Sequence, residues 1–372
     1  MTISVTLFRN FLEDRRISME VYADGLSRAL REYSAGQCDL REYVPHFLRG
    51  LNRGTWSMRL ARSGAYPIQA GRNQGPVNHI LDHGYGHLLY ALDSARTVVT
   101  VHDLIPLVRW RGGIPGVSRG RRPWLNLHSF RALRRAACLI AISENTRQDL
   151  IRFVECKPEN VVVVYYGIEE MFQVYTTAEK TCVRVKWNCP DNGVKRVLIS
   201  GSQFYKNLPA ILQSFARLRA LCGESVELIK VGRPDPVWNR AVRRWGLERS
   251  ARNVGEVSHS AMPELLNCVD VLLFPSLYEG FGRPPLEAMA CGVPVVASNV
   301  ASLPEVVGGA GLMCAPQEYE GLAQAMYTVL TNDDLRQSLI ENGLKRARQF
   351  TWESTAQRTL EVYERVANGS HS

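Results

Sequence analysis

Residues 274–314 read FPSLYEGFGRPPLEAMACGVPVVASNVASLPEVVGGAGLMC. An apolar run, Val269–Phe274, predicts a buried strand that ends at Pro275. A loop carrying Glu279, Gly280 and Gly282 follows, and a helix is expected to open at Pro284–Pro285. Proline is tolerated there because the first N–H groups of a helix have no partner within it. Gly292 is a good residue to close that helix. A glycine loop feeding a helix at the carboxyl end of a strand is where open α/β sheets bind anions, and a nucleotide pyrophosphate is the anion expected. Glu287 is read as lying in the first helical turn, within reach of ribose hydroxyls. Glu279, eight positions earlier in the chain, is expected to point into the same crevice.

The stretches on either side repeat the strand–helix alternation. In the first half, Ile3–Phe8, His79–Leu81, Thr97–Val101, Leu139–Ile142 and Val161–Val164 read as short strands. Met19–Tyr33 has its apolar residues at helical spacing. Periodicity is lost over 169–193, which reads as a linker. A second series follows: strand Val197–Ser200, helix Leu208–Cys222, strand Val226–Val231, helix Asp235–Trp245, and strand Val293–Ala297 after the one already placed. Such alternation predicts βαβ units and parallel sheets. The expected division is 1–175, 176–350, and a last helix, Trp352–Ala367, within 351–372 that crosses back to the first domain.

Length and composition agree with two domains. The chain has 372 residues, 45% of them hydrophobic and 22% charged, ordinary values for a globular protein. Nine cysteines without paired CxxC spacing argue against a disulfide framework and a zinc site, and fit a reducing cytoplasm. No signal peptide and no membrane-span-length apolar run is read from the sequence. The net charge is +9, and Leu104–Ser143 holds eight arginines with no acidic residue. Arg109, Arg111, Arg119, Arg121, Arg122, Arg131, Arg134 and Arg135, interleaved with Trp110, Trp124 and Phe130, predict attraction to an anionic partner. The segment 111–122 is read as a flexible loop. No helix-turn-helix, zinc or RNA-binding signature points to nucleic acid.

The Glu279–Glu287 pair within PSLYEGFGRPPLEAMACGVPVV resembles the Glu-x7-Glu signature of glycosyltransferase family 4, and VVTVHDLIPL and IAISENTRQDL resemble other stretches of that family. The resemblance is strongest over 197–314 and implies a GT-B fold, two Rossmann-like domains facing across a cleft that holds the active site. It implies that Glu287 binds the donor's ribose. It also implies that Glu279 holds the donor sugar's hydroxyls beside the backbone of Gly280, Phe281 and Gly282. Lys206 in SGSQFYKNL resembles the family's phosphate-binding lysine. The family's usual arginine is missing from that loop, where Gly201 stands with Ser202 beside it, so a second cation is absent or supplied elsewhere. His102 is implied as a donor contact. Ser143 is either a cleft residue or the cap of the following helix, and His83 is a further cleft candidate. The role of Arg283 is open. The Gly-Gly pair that many members carry after the first strand is replaced here by EDRRISMEVYADGL, so that loop's acceptor contacts do not transfer.

The implied reaction is retaining hexosyl transfer from a nucleotide sugar to a saccharide or lipid-linked saccharide. UDP-glucose is the first expectation for the donor and GDP-mannose the next. Catalysis would rest on positioning and charge stabilisation, with no covalent nucleophile. No metal site is read, since Asp333–Asp334 look like a helix start, so no metal or cofactor is expected. A cytoplasmic protein, peripheral on the inner membrane face through its arginines, is the expected setting. The alternatives are a catalytically silent nucleotide-sugar-binding subunit and a GT-B sugar-nucleotide epimerase. No GxGxxG follows the first strand, which argues against a dehydrogenase.

Overall fold

A computed structural model describes residues 2–14, 16–45, 55–122 and 124–369. The chain divides into two compact units, residues 1–167 with 350–372, and residues 168–349. The division falls slightly ahead of the boundary read at 175.

The first unit holds β1 (Ile3–Phe8), β2 (Cys38–Tyr43), β3 (Val77–Ile80), β4 (Thr97–Val101), β5 (Cys138–Ala141) and β6 (Val161–Val163). They form one sheet in the order β2-β1-β3-β4-β5-β6, and every pairing is parallel. The order reverses between β1 and β3, as in flavodoxin-like sheets. β3, β4 and β5 are buried along their whole length, as central parallel strands covered on both faces are, and β3 and β4 carry the buried polar residues Asn78, His79, Thr97 and Thr100 among their apolar ones. β2, CDLREY, alternates exposure with no fully buried residue. It is an edge strand, and its polar composition hides it from a search for apolar runs.

The second unit holds β7 (Lys195–Ser200), β8 (Val226–Val231), β9 (Ala251–Asn253), β10 (Val271–Phe274), β11 (Val295–Ser298) and β12 (Leu312–Cys314). Their order is β12-β11-β10-β7-β8-β9, all parallel. This is the six-strand Rossmann order, with its reversal between β7 and β10. Val197, Ile199, Leu228, Leu273 and Val296 carry the core against Phe215, Leu218, Met326 and Val329 of the covering helices. The stretch read as a linker contains a helix, Thr177–Lys186, begun by a capping box between Thr176 and Glu179. Val183 is its one buried residue. An almost wholly exposed helix leaves no apolar stripe to read.

The last helix, Trp352–Ala367, belongs to the first unit. Its Tyr363 hydroxyl meets His79 Nδ1 at 2.6 Å, His79 Nε2 meets Thr100 Oγ1 at 2.8 Å, and Thr355 Oγ1 donates to the Tyr165 carbonyl at 2.8 Å. Its first residue, Trp352, lies over Gly25 of the helix Ile17–Tyr33. The basic stretch 104–143 has a mixed fate. Arg111, Arg119, Arg121, Arg131, Arg134 and Arg135 are exposed. Phe130 is a core residue stacked on His83 rather than a surface aromatic, and the Trp124 side chain lies outside the described residues. Arg111 ends a helix, Ile105–Arg111, that precedes the loop. No helix among the described residues is long and apolar enough to cross a membrane.

A Cβ on Gly25 would stand 2.2 Å from Cζ2 of Trp352. Gly25→Ala is therefore expected to destabilise the chain by about 1–3 kcal/mol, the usual cost of overpacking. Denaturant titration reads this, and an unchanged midpoint would mean that the last helix does not pack as described.

Candidate functional site

The switch point of the second unit assembles the cluster. β7 leads through Gly201 and Ser202 into a single 3-10 turn, Phe204–Lys206. β10 leads through Pro275 into the loop 276–282. The two loops are joined by a backbone bond from Leu277 N–H to the Tyr205 carbonyl, 2.7 Å. Asn207, in the left-handed region at φ 60°, donates from Nδ2 to the carbonyls of Pro275 and Pro316 at 3.0 and 2.8 Å. These bonds bring Lys206 and Glu279 together. The Lys206 ammonium donates to Glu279 Oε1 at 2.7 Å, and both side chains are 12% exposed. The ammonium also sits 4.3 Å from the centre of the Phe274 ring, a cation–π distance. A cation and a carboxylate thus meet at the carboxyl edge of the sheet, each sheltered from water and each held by a different strand.

The glycine loop is fixed from behind. Ser302 Oγ donates to the carbonyls of Glu279 and Phe281 at 3.0 and 2.6 Å. Gly282 adopts φ 118°, and a Cβ there would lie 2.9 Å from Leu303 Cδ2, so both backbone and space require glycine. The helix runs Arg283–Ala290, which puts Glu287 one turn in rather than in the first turn. Pro284 and Pro285 carry no N–H. Amide donors at this end therefore come from the loop and from Arg283, fewer than the sequence reading supposed.

Glu287 is 7% exposed and accepts from Arg283 Nε at 3.2 Å. Arg283 Nη2 also donates to both carboxylate oxygens of Glu169, at 3.1 and 2.9 Å, and lies 3.4 Å from His259 Nε2. Burial raises the Glu169 carboxyl, but the His259 hydrogen bond and the Arg283 charge outweigh it and hold the group below its usual range. Arg283 is thereby the hub of a charged cluster that gathers the ribose-site candidate Glu287 with Glu169. Glu169, Arg283 and Ser302 in these roles were not read from the sequence. Arg283 carried a local signal, four residues before Glu287 on a helix. Glu169 stands 114 residues from Arg283 and carried none.

The remaining candidates lie in the first unit. His102 follows β4 and is 3% exposed. Its Nε2–H donates to the Leu81 carbonyl at 2.7 Å, which leaves Nδ1 to accept from the Tyr166 hydroxyl. Both ring nitrogens are thus engaged inside the unit. Burial pulls its pKa down to about 4, opposed by the Asp82 charge and helped by His83. His83 accepts from the His102 backbone N–H at 3.3 Å. Ser143 is fully buried and caps the next helix, accepting from Thr146 N–H at 3.0 Å. Among the described residues no group of three His, Cys, Asp or Glu side chains is arranged to hold a metal ion.

Residues 1–171 match Glycosyltransferase Family 4, and residues 194–332 match Glycosyl transferases group 1. The chain belongs to glycosyltransferase family 4. A serotype-specific mannosyltransferase, WbdA, from Escherichia coli is 28% identical over 282 residues, 74% of this chain and 34% of that one. An O-antigen chain mannosyltransferase B from Escherichia coli is 32% identical over 233 residues, 62% of this chain and 61% of that one. This family member therefore spans about a third of the first relative's length and about six-tenths of the second's. The structure of Anabaena HepE in complex with UDP-glucose superposes with a TM-score of 0.76 at 18% identity, covering 97% of this chain and 99% of that one. The likeness establishes the GT-B kind of fold.

Two buried histidines predict how this glycosyltransferase-family chain responds to acid. Burial lowers His79 to about 3 and His102 to about 4, against about 6.5 in an unfolded chain. As pH falls below about 6.5 the unfolded state binds protons that the folded state refuses, so stability falls by up to ~1.4 kcal/mol per pH unit per histidine. Denaturant midpoints measured from about pH 7.5 to 5 are expected to drop, and less steeply in His102→Gln. A flat wild-type profile would show that these rings are not held neutral.

Proposed function

We propose that the chain is a retaining hexosyltransferase that moves a sugar from a nucleotide donor to a saccharide or lipid-linked saccharide in polysaccharide assembly. The observation that carries this reading is the Lys206–Glu279 pair astride the β7/β10 switch point. In a bound donor the ammonium takes a phosphate oxygen and the carboxylate takes sugar hydroxyls, so each replaces the other with a ligand group of matching character. The charge that builds on the leaving diphosphate then faces a cation already in place, at little reorganisation cost. Glu287, oriented by Arg283, accepts from the ribose. The loop Gly280, Phe281 and Gly282 lies beside the sugar, with Gly201 and Ser202 beside the phosphates.

The mannosyltransferase names of two relatives favour mannose, and with it GDP-mannose, over the UDP-glucose that the sequence put first. The HepE complex keeps UDP-glucose in the comparison. Transfer is proposed to need no metal, the cations being side chains. Thermal-shift titration with UDP, GDP, ADP and their hexose conjugates tests the donor site. One nucleotide at ~100 Kd is expected to raise Tm by roughly 5–10 °C, with the shift lost in Glu287→Ala and Lys206→Ala. Transfer with that donor should survive EDTA and give a product of unchanged anomeric configuration by NMR. No shift with any nucleotide would leave a catalytically silent subunit as the better reading.

The exposed arginines of the 104–143 stretch are proposed to hold the first unit against an anionic membrane surface that carries the acceptor. Vesicle co-sedimentation is expected to rise with anionic lipid at low salt and weaken at moderate salt. Equal binding to neutral vesicles would remove this part.

A further inference from the structure

The loop after β7 lacks the arginine that family members set beside their phosphate-binding lysine, yet the second unit holds a buried cation nearby that the reading above does not use. Lys230, on β8 (VELIKV), is 1% exposed. Its ammonium has three N–H groups, and among the described residues one acceptor meets it, the Arg233 carbonyl at 3.1 Å. The Trp238 ring lies 5.7 Å away. Asp235 acts on it only at a distance, with its carboxylate capping the next helix through Val237 N–H at 2.8 Å. A buried ammonium without a paired carboxylate costs free energy, and burial accordingly lowers its pKa.

The place of this cation is specific. Ser200 pairs with Val231 in the parallel ladder, so the loops after β7 and β8 leave the sheet side by side. Gly232, at φ 130°, stands where Lys230, Ser202 and Gly201 converge. A Cβ there would stand 3.5 Å from Lys230 Nζ, 3.7 Å from Ser202 Oγ and 3.8 Å from Gly201 Cα. A Cβ on Gly201 would stand 3.0 Å from Lys206 Cε. Gly201 therefore has the Lys206 chain against it, and its Cα and the Lys230 ammonium both lie within contact range of one point, the Cβ position of Gly232.

We propose that Lys230 is the second cation of the donor site, leaving the Arg233 carbonyl to bind a phosphate oxygen of the nucleoside diphosphate that Lys206 binds from the other side of Gly201. The proposal rests on the donor-site reading and goes beyond it. It relocates the family's missing positive charge from the β7 loop to the neighbouring strand. Ser202, with its hydroxyl beside Gly232, adds a neutral donor to the same oxygens.

The test compares Lys230→Met and Lys230→Arg with the wild-type chain by calorimetric titration. The probes are UDP, GDP and ADP and their nucleosides uridine, guanosine and adenosine. Lys230→Met is expected to weaken the preferred diphosphate by ~10- to 100-fold, the scale of a hydrogen bond to a charged group. It should leave the nucleoside unchanged and reduce the salt dependence of diphosphate binding. Lys230→Arg should retain most of the affinity. Unchanged diphosphate affinity, or an equal loss for nucleoside and diphosphate, overturns the proposal. A wild-type chain that binds none of the probes overturns the donor-site reading as well, so the two failures are distinguishable. Should Lys230→Met not fold, a crystal structure of the wild-type chain with its preferred diphosphate decides. Nζ within about 3.5 Å of a phosphate oxygen is expected, and Nζ remaining on the Arg233 carbonyl overturns it.

Discussion

The Lys206–Glu279 ion pair exists because two parallel strands, adjacent where the strand order reverses and distant in the chain, have loops that are joined at a common edge. That reversal between β7 and β10 opens a crevice at the carboxyl ends of the strands. The lysine is fixed by a one-turn helix and a ring face, and the glutamate by a loop whose carbonyls are tied to Ser302. A sheltered cation and a sheltered carboxylate held by separate elements can each exchange their mutual contact for a ligand's phosphate and hydroxyl groups. The remainder of the unit's architecture keeps that exchange possible.

Charge in this unit is organised in two layers around the crevice. The inner layer is the pair itself. The outer layer is Arg283, which holds Glu287 from one side and Glu169 from another, so that two acidic groups near the helix start are partnered rather than left to repel. The prolines that open this helix remove amide donors where an anion would otherwise be held by backbone alone. Side-chain cations must therefore contribute more here than in a helix start rich in N–H groups. Lys206, in the turn after β7, and the buried Lys230, near the end of β8, are side-chain cations placed there.

The first unit uses its polar interior differently. His79, Thr100, Tyr22 and Tyr363 form a buried chain of hydrogen bonds that binds the last helix to the sheet. His102 and Ser143, at the ends of β4 and β5, are engaged in holding neighbouring backbone and helix start. Buried polar groups that find all their partners specify one packing arrangement, and these specify where the C-terminal segment docks.

The sequence by itself determined the α/β class, most of the strands, the helices Leu208–Cys222 and Trp352–Ala367, and the stretch that carries the site. Each of these depends on local pattern: β-branched runs, helical periodicity, and a glycine–proline loop whose φ requirements are written in residue type. It missed β2 and the helix Thr177–Lys186 because polar, exposed elements bury too little to leave a pattern. It placed Glu287 in the first helical turn because composition does not say at which residue a helix begins. The pairing of Lys206 with Glu279, the reach of Glu169 to Arg283, and the convergence of Lys230, Ser202 and Gly201 on Gly232 were decided only by tertiary structure. Sheet order sets which loops become neighbours, and it follows from the burial of all strands together, which no short stretch of sequence encodes.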